Sequence, residues 1–144
     1  MARLTPRTYA LTALTHQRHR LFQRTESAEL LIATILRYRE QGKFLLHGFV
    51  VMPDHLHVLI TPADSIERSA QLIKGGFSFA VRKIFPGEVW QDGYHEHRIR
   101  DAEDFNSQLL YIANNPNRLA FVDYLHVHTR YSNQLDPMPS HFFA

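Results

Sequence analysis

The chain has 144 residues, 44% of them hydrophobic, which is enough apolar material for the core of one domain and too much for a peptide or a tail. It has no cysteine, so a disulfide scaffold and thiolate-ligated zinc are excluded, and any metal must be held by imidazole, carboxylate, amide or water. The formal net charge is only +2, yet a sequence pI of about 9.1 and ten histidines leave room for a polyanionic partner. No apolar run approaches the ~18 residues of a spanning helix, and Met1 to Arg7 lacks an apolar signal core, so a cytoplasmic protein without a membrane partner is expected.

In chain order, Arg7 to Leu14 is rich in β-branched, aromatic and leucine residues and predicts a first strand. A basic loop, Thr15-His16-Gln17-Arg18-His19-Arg20, leads into Leu21-Phe22. Thr25 to Glu29 then opens a helix with acids in its first turn, and the helical period of Leu30, Leu31, Ile35, Leu36 and Tyr38 runs until Gly42. A second strand is expected from about Lys43 to Met52, and Pro53-Asp54 turns it back into a third as an antiparallel hairpin. Ser65 to Arg68 opens a second helix with Leu72, Ile73, Phe77, Ala80, Val81 and Ile84 on its apolar side. Its Gly75-Gly76 pair marks either a kink or a place where something approaches the backbone closely, a DNA strand being one candidate.

Pro86-Gly87 ends that helix, and Val89-Trp90 with Tyr94 to Ile99 predicts a fourth strand or irregular hairpin. Asp101 to Asp104 is an acidic start to a third helix through Leu109, Leu110, Tyr111 and Ile112, which Asn114-Asn115-Pro116 should stop or bend. An apolar segment from Phe121 to Val127 precedes a polar, proline-bearing tail. The order predicts a ferredoxin-like α+β layer: a four-stranded antiparallel sheet with helices on one face and the histidine-bearing strand central. One domain is expected over residues 1–144, with a core of about 7–122 and a tail of 123–144.

The third strand carries the chemistry. Within Val51-Met52-Pro53-Asp54-His55-Leu56-His57-Val58-Leu59, alternation puts His55 and His57 on one face, about 7 Å apart at their α-carbons, where one cation can bridge them. An ordinary pair of solvated histidines is the simpler alternative, but paired imidazoles on so apolar a strand need something to satisfy them. Tyr111 and Asn115, four residues apart, share one face of the third helix. If the two faces converge, a metal on both imidazoles, with the Asn115 amide oxygen as a possible third ligand, keeps open positions for water and a phosphate oxygen. A phenol with a pKa of about 10 is a poor nucleophile at neutral pH, and a metal-polarised phosphorus relieves that weakness.

His55-Leu56-His57 in that setting, together with Tyr111-Ile112-Ala113-Asn114-Asn115-Pro116, resembles the single-tyrosine HUH transposases, in which U is a hydrophobic residue. Leu14-Thr15-His16-Gln17-Arg18 followed by Leu21-Phe22, and Trp90-Gln91-Asp92-Gly93-Tyr94-His95-Glu96-His97-Arg98-Ile99-Arg100-Asp101, place the resemblance in the IS200-like branch of REP-associated tyrosine transposases. It implies cleavage and rejoining of single-stranded DNA beside hairpins through a covalent 5′-phosphotyrosine, with Mg²⁺ or Mn²⁺ as cofactor. By position, His55 and His57 become metal ligands, Asn115 the third ligand and Tyr111 the nucleophile. The same resemblance favours a monomer over a dimer that exchanges its tyrosine helix.

Arg18, Arg20, Lys74, Arg82, Lys83, Arg98 and Arg100 could line a groove for a strand's phosphates, with Phe22, Phe77, Trp90 or Tyr94 as stacking platforms, though Trp90 could equally anchor the core. His95 and His97, separated by Glu96, suit a phosphate contact or a hydrogen-bond network better than a second metal site, and His126/His128 has still less to recommend it as ligands. Two rivals remain: a hairpin-binding protein without catalysis, and a metal-dependent phosphoesterase in which water attacks in place of tyrosine.

Overall fold

The computed structural model describes residues 6–118, 127–128 and 134–143. The elements are β1 (Tyr9–Leu14), α1 (Thr25–Glu40), β2 (Phe44–Met52), β3 (His55–Pro62), α2 (Ile66–Val81), β4 (His95–Arg98), α3 (Ala102–Arg118) and β5 (Val127–His128). All strand pairs are antiparallel, in the order β4-β1-β3-β2-β5. The four principal strands thus form the ferredoxin-like sheet, with β3 in its middle and the two-residue β5 added beside β2.

Local chemistry sets the boundaries. Met52 pairs with His55 across the Pro53-Asp54 turn, which fixes the hairpin register. Gly42, at φ +75°, ends the α1 segment in the left-handed conformation that glycine adopts without a Cβ clash, and its N–H donates to the Arg39 carbonyl. Ser65 caps α2 by accepting from the Arg68 N–H, and Asp101 caps α3 by accepting from the Asp104 N–H at 2.8 Å.

The helices divide between the two faces of the sheet. Leu31 and Ile35 of α1 and Ile73, Phe77 and Val81 of α2 bury against Leu11, Leu56, Val58 and Ile60. Phe105 and Ile112 of α3 bury against Val50, Met52 and Leu59 on the opposite face. The expectation of helices on one face is therefore corrected for α3. A half-solvated sheet would leave Val50, Met52 and Leu59 in water, and α3 removes that apolar surface. One bulge permits the arrangement: pairing shifts between Leu46/Ile60 and Gly48/Leu59, so His47 is the extra residue. Leu46 before the bulge and Phe49 after it both join the α1/α2 core as a result.

Two further expectations are answered in α2 and α3. Helix α2 is continuous through Gly75-Gly76; a Cβ on Gly76 would lie 2.5 Å from Tyr38 Oη, so the close approach there belongs to α1 and no kink or DNA strand is required. Helix α3 continues past Pro116 to Arg118, because a proline so near the helix end deletes one ladder bond and leaves the preceding turns intact. Most of the apolar segment from Phe121 to Val127 lies outside the described residues. In the tail, Asp136 accepts from Arg39 through both oxygens (3.0 and 3.1 Å) and from the Leu46 N–H at 2.7 Å, beside the bulge. Burial alone would raise the Asp136 carboxyl, but the Arg39 and Leu46 hydrogen bonds hold it below the usual carboxylate range.

No helix among the described residues is long and apolar enough to cross a membrane.

Candidate active site

The face of β3 that α3 covers carries both histidines. Their rings lie 4.8 Å apart between centroids, at 81° to one another. His55 Nδ1 is 2.7 Å from Asp54 Oδ1, and His57 Nδ1 is 2.7 Å from Thr12 Oγ1. Thr12 sits directly opposite His57 in the β1–β3 register, so strand pairing itself supplies that partner. With each Nδ1 engaged, Nε2 is the nitrogen left to ligate.

Electrostatics favour the ligating form of His57. Burial, followed by the neighbouring charge of His55, lowers its pKa to about 3, so the ring is neutral at physiological pH. Burial would raise the Asp54 carboxyl, but hydrogen bonds from His55 and Arg18 outweigh it and keep the group ionised below its ordinary range.

Helix α3 brings the phenol to the same place. The Tyr111 ring stands edge-on to His57 with centroids 5.4 Å apart, and the residue is 41% exposed. Ile112 beside it is buried in the α3 core and fixes the helix rotation, while Asn115, one turn further on, is buried. A cleft of 200 Å³ opens here, walled by Thr12, His57, His95, His97 and Tyr111. Among the described residues no group of three His, Cys, Asp or Glu side chains is placed to hold a metal. The candidate donors are therefore the His55 and His57 imidazoles, with an amide or water to complete the set.

The remaining candidates scatter. Arg18 is engaged by Asp54, with Nε and Nη2 each 3.0 Å from Oδ2, while Arg20 is exposed on the same loop. Lys74 donates to the Gln91 and Gly93 carbonyls at 3.1 and 2.7 Å, and burial lowers its pKa; it holds a loop where a phosphate contact was expected. Arg82 lies over the Phe79 ring at 3.7 Å, and Lys83 is exposed beside it. On β4, His95 and Arg98 are exposed, His97 is bonded to both oxygens of Asp104 at 2.9 Å, and the Arg100 N–H donates to the same carboxylate.

Phe22 and Phe77 are fully buried and cannot stack on bases, which corrects that expectation. Trp90 packs against both and donates from Nε1 to the Lys74 carbonyl, so it anchors the core. Sequence reasoning missed Thr12 and Asp54. Asp54 sits next to His55 and could have been found there, but it served only as a turn residue; Thr12 carries no local signal.

A family model described as "Transposase IS200 like" matches residues 5–115. A REP-associated tyrosine transposase of Escherichia coli K12 is 27% identical over 95 residues, 64% of this chain and 56% of that protein. An uncharacterised protein of Haemophilus influenzae is 32% identical over 93 residues, 47% of this chain and 52% of its own length. The chain spans little more than half the length of these curated relatives. A solved structure of a REP-associated tyrosine transposase bound to a REP hairpin shares the fold, with a TM-score of 0.72, 23% identity, and coverage of 88% of this chain and 81% of that one. The chain belongs to the IS200-like transposase family, within which it is homologous to REP-associated tyrosine transposases.

Proposed function

We propose that this chain is a metal-dependent, single-strand DNA transesterase of the cytoplasm that cleaves and rejoins DNA beside hairpins through a 5′-phosphotyrosine. The observation that carries the reading is the Tyr111 ring set 5.4 Å from His57, on the same face of the sheet as the histidine pair. His55 and His57 would hold Mg²⁺ or Mn²⁺ through Nε2, with Asn115 or water as third ligand; when bound, such an ion polarises a phosphoryl oxygen and stabilises the charge that builds there.

The chain's own part is positioning. Tyr111 gives up its phenolic proton and forms the new O–P bond, the bond from phosphorus to the 3′-oxygen breaks, and a 3′-hydroxyl leaves. The phosphotyrosine conserves the diester energy, and attack by a 3′-hydroxyl in the reverse sense rejoins the strand. The exposed side of Tyr111 and the adjoining cleft admit an unpaired strand, whose flexible backbone can bend to the phenol. A monomer is the state proposed, with Tyr111 serving the histidines of its own chain.

The test is Tyr111→Phe with labelled single-stranded hairpin oligonucleotides and Mn²⁺. Cleavage falling by roughly 10³-fold or more supports the covalent route. Survival of cleavage points to attack by water, and hairpin binding without cleavage, indifferent to metal removal, points to a binding protein.

A further inference from the structure

We infer that Arg18 and Asp54 are positioning residues that hold His55 ready to bind a divalent cation, and that the basic loop before α1 is folded for this purpose. The inference rests on the metal reading proposed above.

The two imidazoles are held by unlike partners. Asp54 presents a carboxylate to His55 Nδ1, and a carboxylate only accepts, so Nδ1 must carry the hydrogen, and in the neutral ring Nε2 keeps its lone pair. Thr12 presents a hydroxyl to His57, which can donate or accept and so fixes neither tautomer. An unheld imidazole favours the opposite tautomer, with hydrogen on Nε2. The Asp54 contact therefore presets one of the two ligands.

Arg18 fixes the carboxylate in turn. Its Nε and Nη2 both reach Asp54 Oδ2 at 3.0 Å, which leaves Oδ1 facing His55. The backbone is bent to make this possible: Gln17 and Arg18 are consecutive non-glycine residues in the left-handed region, at φ 53° and 55°. Such conformations persist where the surroundings over-determine them. Here the surroundings do so, because the Thr15 N–H donates to the Asp54 carbonyl and the Phe22 N–H to the Pro53 carbonyl, both at 3.0 Å. The loop from Thr15 to Phe22 is thus stitched at both ends to the turn that enters the histidine strand. The Arg18 side chain is about half exposed, so the bent backbone and these two bonds, not burial, hold it on Asp54. Contacts of this kind behind a metal ligand are worth 10- to 100-fold in affinity by general experience, roughly.

The experiment uses the full chain and four variants: Asp54→Ala, Asp54→Asn, Arg18→Ala and Arg18→Lys. Long-range ¹H–¹⁵N NMR in EDTA reads the His55 tautomer, and a titration followed by electron paramagnetic resonance reads Mn²⁺ affinity. In the wild-type chain His55 is expected with hydrogen on Nδ1. Asp54→Ala should move it to Nε2 and weaken Mn²⁺ by about 10- to 100-fold. Asp54→Asn, which keeps an accepting oxygen, should recover most of that loss, and Arg18→Ala should lose more affinity than Arg18→Lys. Should Asp54→Ala fail to fold, Asp54→Asn and the two Arg18 variants carry the comparison.

Mn²⁺ affinity within about twofold of wild type in the folded Asp54 and Arg18 variants overturns the inference. So does a His55 that keeps hydrogen on Nδ1 without the carboxylate. A wild-type chain that binds no Mn²⁺ overturns the metal reading and this inference together, whereas binding indifferent to Asp54 and Arg18 overturns this inference alone.

Discussion

Replacing His57 with glutamine should flatten the acid dependence of folding stability. In the folded chain His57 stays neutral down to about pH 3, because burial and then the charge of His55 disfavour its cation. In the unfolded chain the same ring protonates near its ordinary value of about 6.5. The sign follows directly: below that value the unfolded state binds a proton that the folded state refuses, so stability is lost as pH falls. One proton is worth about 1.4 kcal/mol per pH unit, so between pH 7 and pH 5 this one ring costs about 2 kcal/mol.

The window is chosen to exclude the acids. Asp54, Asp104 and Asp136 have carboxyl pKa values lowered below 3.8, so they withdraw stability only at lower pH. His47 is lowered by burial and adds loss of the same sign in both proteins. Urea unfolding in EDTA, followed through Trp90, the single tryptophan, should therefore show wild type losing about 2 kcal/mol more than His57→Gln between the two pH values. Equal losses in the two proteins would refute the buried, neutral His57.

Gly75→Ala should stabilise by about 0.5–1 kcal/mol, since nothing lies within 4 Å of its added methyl and helix propensity improves. Gly76→Ala should be destabilising by about 1 kcal/mol, because its methyl meets Tyr38 Oη at 2.5 Å and Cε2 at 2.8 Å; a stabilising effect measured in urea would contradict the α1–α2 contact. Lys74→Met should lower stability and leave the salt dependence of DNA binding unchanged, as its ammonium is bonded to the Gln91 and Gly93 carbonyls. Arg20→Ala should leave stability unchanged and reduce the slope of log affinity against log salt by about one.

What the sequence made legible is what depends on neighbours along the chain. The histidine pair, the Pro53-Asp54 hairpin, the helix starts at Ser65 and Asp101 and the glycine stop at Gly42 rest on contacts within a few residues, and each appears where expected. Apart from Asp54 beside His55, the missed features are long-range. Thr12 and His57 are 45 residues apart, Arg39 and Asp136 are 97 apart, and the methyl that Gly76 lacks is defined by a tyrosine on another helix.

The side chosen by α3 was missed for a different reason. Period-two alternation sorts β3 into two faces but does not say that both are buried. Only the combined apolar residues of β2 and β3 on the histidine face demand a helix there, and the His47 bulge that sorts β2 between the faces has no local signature. Because α3 takes that side, Tyr111 meets His57, so the sequence named residues of the candidate site while the packing brought them together.

The most direct test of the central claim is a peptide map. Wild-type chain is incubated with single-stranded hairpin DNA and Mn²⁺, digested, and its DNA-linked peptide identified by mass spectrometry. A nucleotide 5′-phosphate joined to Tyr111, absent when EDTA replaces Mn²⁺ and absent with duplex DNA, is the expected result. Cleaved DNA with no linked peptide, or a link to a different tyrosine, would contradict the account.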